Sequence, residues 1–186
     1  MHRGGAGDGR WAWVRPVGWS AAAMLLLAPA VAMRFTDEVN WGAEDFAAAA
    51  LLLGGAGLAL ELAVIGSRSA AYRLGAGVAV AGALLLVWLC LAVGLIGDEG
   101  DPANLMYVGV IAVGAAGAAL ARFEPGGMAR AMLGTAIALG AAAGTALALG
   151  RQDAPGGSIV EIVVLNGIFA ALFIGSAGLF QRAART

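Results

Sequence analysis

The chain contains no lysine; all eleven of its basic residues are arginine. That excludes lysine Schiff-base chemistry and a lysine-bearing phosphate loop. The single histidine, His2, lies in the N-terminal tail. A histidine-held metal or haem, and a Ser/His or Cys/His nucleophile pair, therefore find no histidine in the apolar part of the chain. The single cysteine, Cys90, cannot form an intramolecular disulfide, so it gives no reading of redox compartment.

What the chain does have is apolar surface. Hydrophobic residues make up 61% of it, and the mean hydropathy is +0.86. Runs of about 17–25 mostly apolar residues are long enough, as helices, to cross a bilayer. The runs are continuous rather than alternating, so helices and not barrel strands are expected. The spacing predicts an all-α polytopic membrane protein. Its six spans lie near 17–33, 46–66, 74–96, 105–121, 131–149 and 158–180. A polar tail, 1–16, precedes this single transmembrane domain and a short one, 181–186, follows it. Pro29 is expected to kink or end the first span. The basic start, apolar run and Ala30-Val31-Ala32 also match a signal peptide with an A-x-A site. The length of the run and the flanking tryptophans favour a retained span.

Charge gives orientation. With the N-terminus inside, Arg3, Arg10, Arg15, Arg68, Arg73, Arg122, Arg130, Arg182 and Arg185 fall on the inner side. Only Arg34 and Arg151 fall outside. This is a positive-inside pattern in short loops, and it predicts three helical hairpins with both termini cytoplasmic. The acids collect in the outer links. The first, 32–46, carries Asp37, Glu38, Glu44 and Asp45 with Trp41; the second, 97–104, carries Asp98, Glu99 and Asp101.

These links hold the candidate outer-face contacts: Asp37, Glu38, Trp41, Asp98, Glu99 and Asp101. Clustered carboxylates can gather hard cations. Their spacing matches no calcium loop, and ordinary roles compete. Asp101-Pro102 reads as a helix cap followed by proline at the first helical position. Glu44 and Asp45 suit the positive end of the second span. Ser158-x-x-Glu161 reads as a capping box.

Two polar residues fall inside spans. Glu61 is costly in hydrocarbon, on the order of 2–3 kcal/mol, and must face protein or water. It is expected to pair with Arg68 or another inner-side arginine, or to line a polar path. Asn166, roughly 12 Å into span six, reads as an interhelical hydrogen-bonding group. Tyr72, Phe123, Phe180, Trp41 and Tyr107 read as interface anchors, and Trp88 and Cys90 as packing. Gly54/Gly57, Gly114/Gly117, Gly140/Gly144 and Gly175/Gly178 offer small faces for close helix contact.

Three phrases, FTDEVNW (Phe35–Trp41), DPANLMY (Asp101–Tyr107) and ARFEPGGMARAM (Ala121–Met132), carry a resemblance. The chain resembles a group of small six-span bacterial inner-membrane proteins over most of spans one to five. The resemblance implies a bacterial inner-membrane location and brings no activity, substrate or site residue with it. The expected function is accordingly a non-enzymatic accessory or scaffold protein, alone or as a homo-oligomer. A small cation-handling transporter or channel is the alternative. The expected partners are the bilayer and a second copy or another membrane protein. No cofactor, metal or nucleic acid is expected.

Overall fold

The computed structural model describes residues 8–36, 38–67, 69–98, 100–154 and 156–186, with side chains from residue 15 onward. Six helices follow one another: α1 (Asp8–Ala32), α2 (Ala43–Gly66), α3 (Ala70–Ala92), α4 (Met106–Leu120), α5 (Pro125–Ala148) and α6 (Ile159–Ala184). Each is long and apolar enough to cross a membrane, α4 together with the 3₁₀ turn Pro102–Leu105 that leads into it. The protein is thus an all-helical, multi-pass membrane protein. By internal contact the chain falls into two compact units, Met1–Leu62 and Ala63–Thr186.

In the first unit, α1 begins at Asp8, well before the expected start near residue 17. Pro16 and Pro29 both lie inside it. Pro29 does not end the helix; its carbonyl still accepts from the Met33 amide at 2.9 Å. In hydrocarbon a broken helix would leave backbone groups without partners, so proline is tolerated there. The second helix starts three residues earlier than expected, at Ala43. Its Asp45 reaches back and accepts from the Gly42 amide at 2.8 Å. That is the return half of a capping box, and it explains why an acid stands there. Trp19 of α1 lies over Gly57 of α2, where a Cβ would sit 2.9 Å from the ring.

The second unit is built around α5 and α6. They pack along each other, α4 packs on α5, and α3 packs on α6. Spans three and four were expected to pair as a hairpin, but α3 meets α4 only sparsely. Small residues set this order. Gly75 and Gly82 of α3 receive Phe180 and Phe173 of α6, and Ser176 donates to the Gly75 carbonyl at 2.8 Å. On the other side Gly117 of α4 faces Ala131 of α5, where a Cβ would lie 2.8 Å from the alanine methyl. So the expected Gly114/Gly117 face is a real contact. Gly140, Gly144, Gly175 and Gly178 have nothing within 4 Å of a built Cβ. The core is closed by Leu86, Leu139, Ile162 and Phe180.

Helix ends differ from the expected spans for local reasons. The third helix stops at Ala92 because Gly94 takes a left-handed φ of 83°. Leu95 and Ile96 are then buried in the following loop. The fifth helix begins earlier than the expected residue 131, because Pro125 takes the first helical position of α5. The turn before it is made by Arg122 and Phe123, with φ of 49° and 60°. Left-handed φ at two ordinary residues costs roughly 1–2 kcal/mol each. The nearby glycines are used for approach instead: a Cβ on Gly127 would meet the Ala121 methyl at 2.5 Å. The last helix runs on to Ala184, through most of the expected tail.

Candidate functional site

One group of polar side chains in the second unit ties the 93–105 loop to the 149–158 loop. Asn104 is the centre. Its Oδ1 accepts from the amides of Leu95 (2.9 Å) and Ile96 (3.1 Å). Its Nδ2 donates to the carbonyls of Ile96 (3.1 Å) and Asp98 (2.8 Å). One side chain thus satisfies the backbone that the early end of α3 leaves open. Asp101 caps the following turn, as its Oδ1 accepts from the Ala103 amide at 2.8 Å. Its Oδ2 accepts from Arg151 at 3.1 Å, which ties the two loops together. The Asp101-Pro102 cap was expected; the ion pair was not.

Asn166 makes the interhelical bond expected of it. Its side chain exchanges hydrogen bonds with the Tyr107 hydroxyl at 2.9–3.0 Å and donates to the Ile162 carbonyl at 2.8 Å. Tyr107 is therefore no interface anchor: it is 2% exposed. Tyr72 is corrected in the same way. It is buried, donates to the Phe123 carbonyl at 2.7 Å and meets the fully buried Phe180 edge-on. A tyrosine suits an interface or a core with a partner equally well, so composition alone does not choose. Phe123 is exposed, as an anchor should be, and Cys90 is half-buried against the core.

In the first unit Glu61 is held by Arg15. The guanidinium donates to both carboxylate oxygens, at 3.1 and 3.0 Å, and the Trp19 indole donates to Oε1 at 2.9 Å. The fork is bidentate, the strongest geometry for this pair. Arg68, the first expected partner, lies outside the described residues. Arg15 and Trp19 are four apart, so they share one face of α1. Arg15 was expected in the tail before the first span, so neither this shared face nor its meeting with Glu61 was anticipated.

The other outer-face candidates are not drawn into a common centre. Asp37 and Glu99 lie outside the described residues. Glu38 is exposed and its amide donates to Thr36 Oγ1 at 3.1 Å. Trp41 packs edge-on against Phe46 at 5.2 Å. Asp98 is exposed, and it contributes its carbonyl rather than its carboxylate to the loop. Among the described residues no three His, Cys, Asp or Glu side chains are grouped to hold a metal ion. The arrangement chemically fixes helix ends and helix pairs. It presents no nucleophile beside a base among the described residues. The chain matches no protein-family model, no curated protein and no solved structure.

Proposed function

We propose that the chain is a non-enzymatic protein of the bacterial inner membrane that works through lateral helix contacts and its outer loops, as an accessory subunit or a homo-oligomer. The observation that carries this reading is a contrast. Inside the spans Asn166, Tyr107, Ser176 and Thr135 are all bonded within the chain. Yet the glycine face of α5, Gly140 and Gly144, is exposed and has no neighbour within 4 Å. Small faces of that kind let a second helix approach closely. The arginine count supports both termini lying in the cytoplasm, with the acidic links in the periplasm. The bacterial assignment rests on the resemblance of Phe35–Trp41, Asp101–Tyr107 and Ala121–Met132. The cation-handling alternative has less support, because Glu61, which would mark its inward path, has both oxygens engaged by Arg15.

The test is association. Purified in a mild, lipid-like detergent, the chain is expected to be oligomeric or to cross-link to a partner in native membranes. Gly144→Ile should weaken that association and leave the fold intact. A protein that stays monomeric and cross-links to nothing overturns the reading.

A further inference from the structure

Because α3 packs on α6 and α4 packs on α5, the consecutive helices α3 and α4 meet only sparsely. Between them lies a cavity of about 480 Å³. Its walls are Val87, Cys90 and Leu91 of α3 and Leu105, Val108 and Ile111 in and just before α4. Small-molecule sites typically occupy about 300–1,000 Å³, so the space is of ligand size. Leu91, Leu105 and Val108 at its rim are 61%, 70% and 66% exposed. Exposed aliphatic side chains of this kind suit hydrocarbon, so an acyl chain is a fitting occupant. Water would find few polar partners on these walls, and an empty slot would forfeit dispersion contacts.

The loop end of the cavity is different. Asp101 and Asn104 line it there, and Asp101 holds Arg151 at 3.1 Å. Both Asp101 oxygens are engaged, by Arg151 and by the Ala103 amide. Its role is to aim the guanidinium. Arg151 is 35% exposed, and its bond to Asp101 is its one side-chain hydrogen bond among the described residues. A guanidinium carries five N–H donors, so donors remain for an anion, and the fork matches a phosphate. Arg151 does not itself line the cavity, but Asp101, which does, holds its guanidinium next to the loop end. An apolar slot with an incompletely used arginine beside its polar end has the chemistry of a phospholipid, with an acyl chain in the slot and a phosphate at its rim.

We propose that the α3–α4 cavity binds one acyl chain of a membrane phospholipid whose phosphate is held by Arg151. The exposed face of α6 at Val164 and Ile168 provides the contrast, since both side chains are about half exposed and neither lines the cavity.

The full chain, reconstituted in phosphatidylethanolamine/phosphatidylglycerol vesicles, can be tested with a trace of phosphatidylcholine carrying a photoactivatable diazirine on one acyl chain. Labelled residues are then mapped by mass spectrometry. Labelling is expected to concentrate on 87–91 and 105–111 over Val164 and Ile168. Arg151→Gln should lower that preference about tenfold, the loss of a charge-assisted hydrogen bond, and Arg151→Lys should restore part of it. Val108→Trp should fill the slot and abolish the preference. A diacylglycerol probe, which lacks the phosphate, should label the slot no more than the α6 face. Uniform labelling of both faces overturns the proposal, as does equal labelling by the diacylglycerol probe. Cross-linking of Cys90 to a second copy, or to residues 1–62, in the same vesicles assigns the slot to protein and also overturns it.

Discussion

Replacing Asn104 by alanine removes four hydrogen bonds at once. The side chain is 9% exposed, and the residues whose amides it accepts from, Leu95 and Ile96, are 3% and 0% exposed. The two carbonyls it donates to differ: that of the buried Ile96 accepts no other hydrogen bond among the described residues. The Asp98 carbonyl also accepts from the Asp101 amide at 3.1 Å, so it keeps a partner. The cost therefore falls on the two buried N–H groups and the Ile96 carbonyl. An orphaned buried donor costs about 1–3 kcal/mol, and water entering at the loop end can relieve part of it, so a loss of about 2–4 kcal/mol is expected. Asn104→Asp sharpens the test. It keeps an acceptor for both amides but puts carboxylate oxygen against the Ile96 and Asp98 carbonyls, so it should fall between wild type and alanine. Leu105→Ala, next in sequence and well exposed, should change stability by no more than about 0.5 kcal/mol. Reversible unfolding in mixed detergent micelles, followed by circular dichroism, measures all three. If Asn104→Ala is as stable as Leu105→Ala, the side chain is not what holds the end of α3, and the account of that loop is wrong.

Tyr107→Phe takes a hydroxyl away from Asn166 but leaves its bond to the Ile162 carbonyl. A loss of about 0.6–1.7 kcal/mol is expected in the same unfolding assay, the range for interhelical bonds in membrane proteins. No loss would mean Asn166 is satisfied without the tyrosine. Glu61→Gln and Arg15→Gln should each lower the yield of membrane-inserted protein, because each strands a charge near the apolar boundary, and the double variant should recover much of it. A double variant as poor as the worse single one would remove the ion pair as the reason for Glu61. Gly117→Leu should destabilise by about 1–3 kcal/mol or more, since its Cβ would meet Ala131 at 2.8 Å, whereas Gly140→Leu should be near neutral in a monomer. Equal effects would mean α4 and α5 do not approach as described.

The existence of six spanning helices was legible because a bilayer leaves the backbone little choice. An apolar run of sufficient length must close its own hydrogen bonds, and the helix is the local way to do so. Caps were legible for a related reason. Asp101, Asp45 and Ser158 act on backbone within three residues of themselves, so their roles lie in the local sequence. Boundaries were less legible where glycine and proline have two uses. Pro125 starts a helix although Pro-Gly-Gly reads as a break, and positive φ falls on Arg122 and Phe123 rather than on the glycines beside them.

Partnership between distant residues was not legible, and the reason is one of angle. On an apolar helix, hydrophobicity no longer tells the buried face from the exposed one, because lipid accepts both. Rotation must then be read from small and polar side chains, which are few. Ser176, Gly75 and Gly82 are the marks that turn α3 toward α6, and none of them stands out from the other glycines and serines of the chain. Four glycine pairs had equal standing in the sequence, yet Gly114/Gly117 meets a neighbouring helix and Gly140/Gly144 meets none. Glu61 shows the same limit from the other side. A carboxylate in a span demands a partner, and eleven arginines offer themselves. Charge and depth narrow the choice to the basic end of the span, but only the rotation of α1, 46 residues away, decides for Arg15 over the arginines nearer in sequence. In such a chain the demand for a contact is written locally, while the address is set by helix rotation.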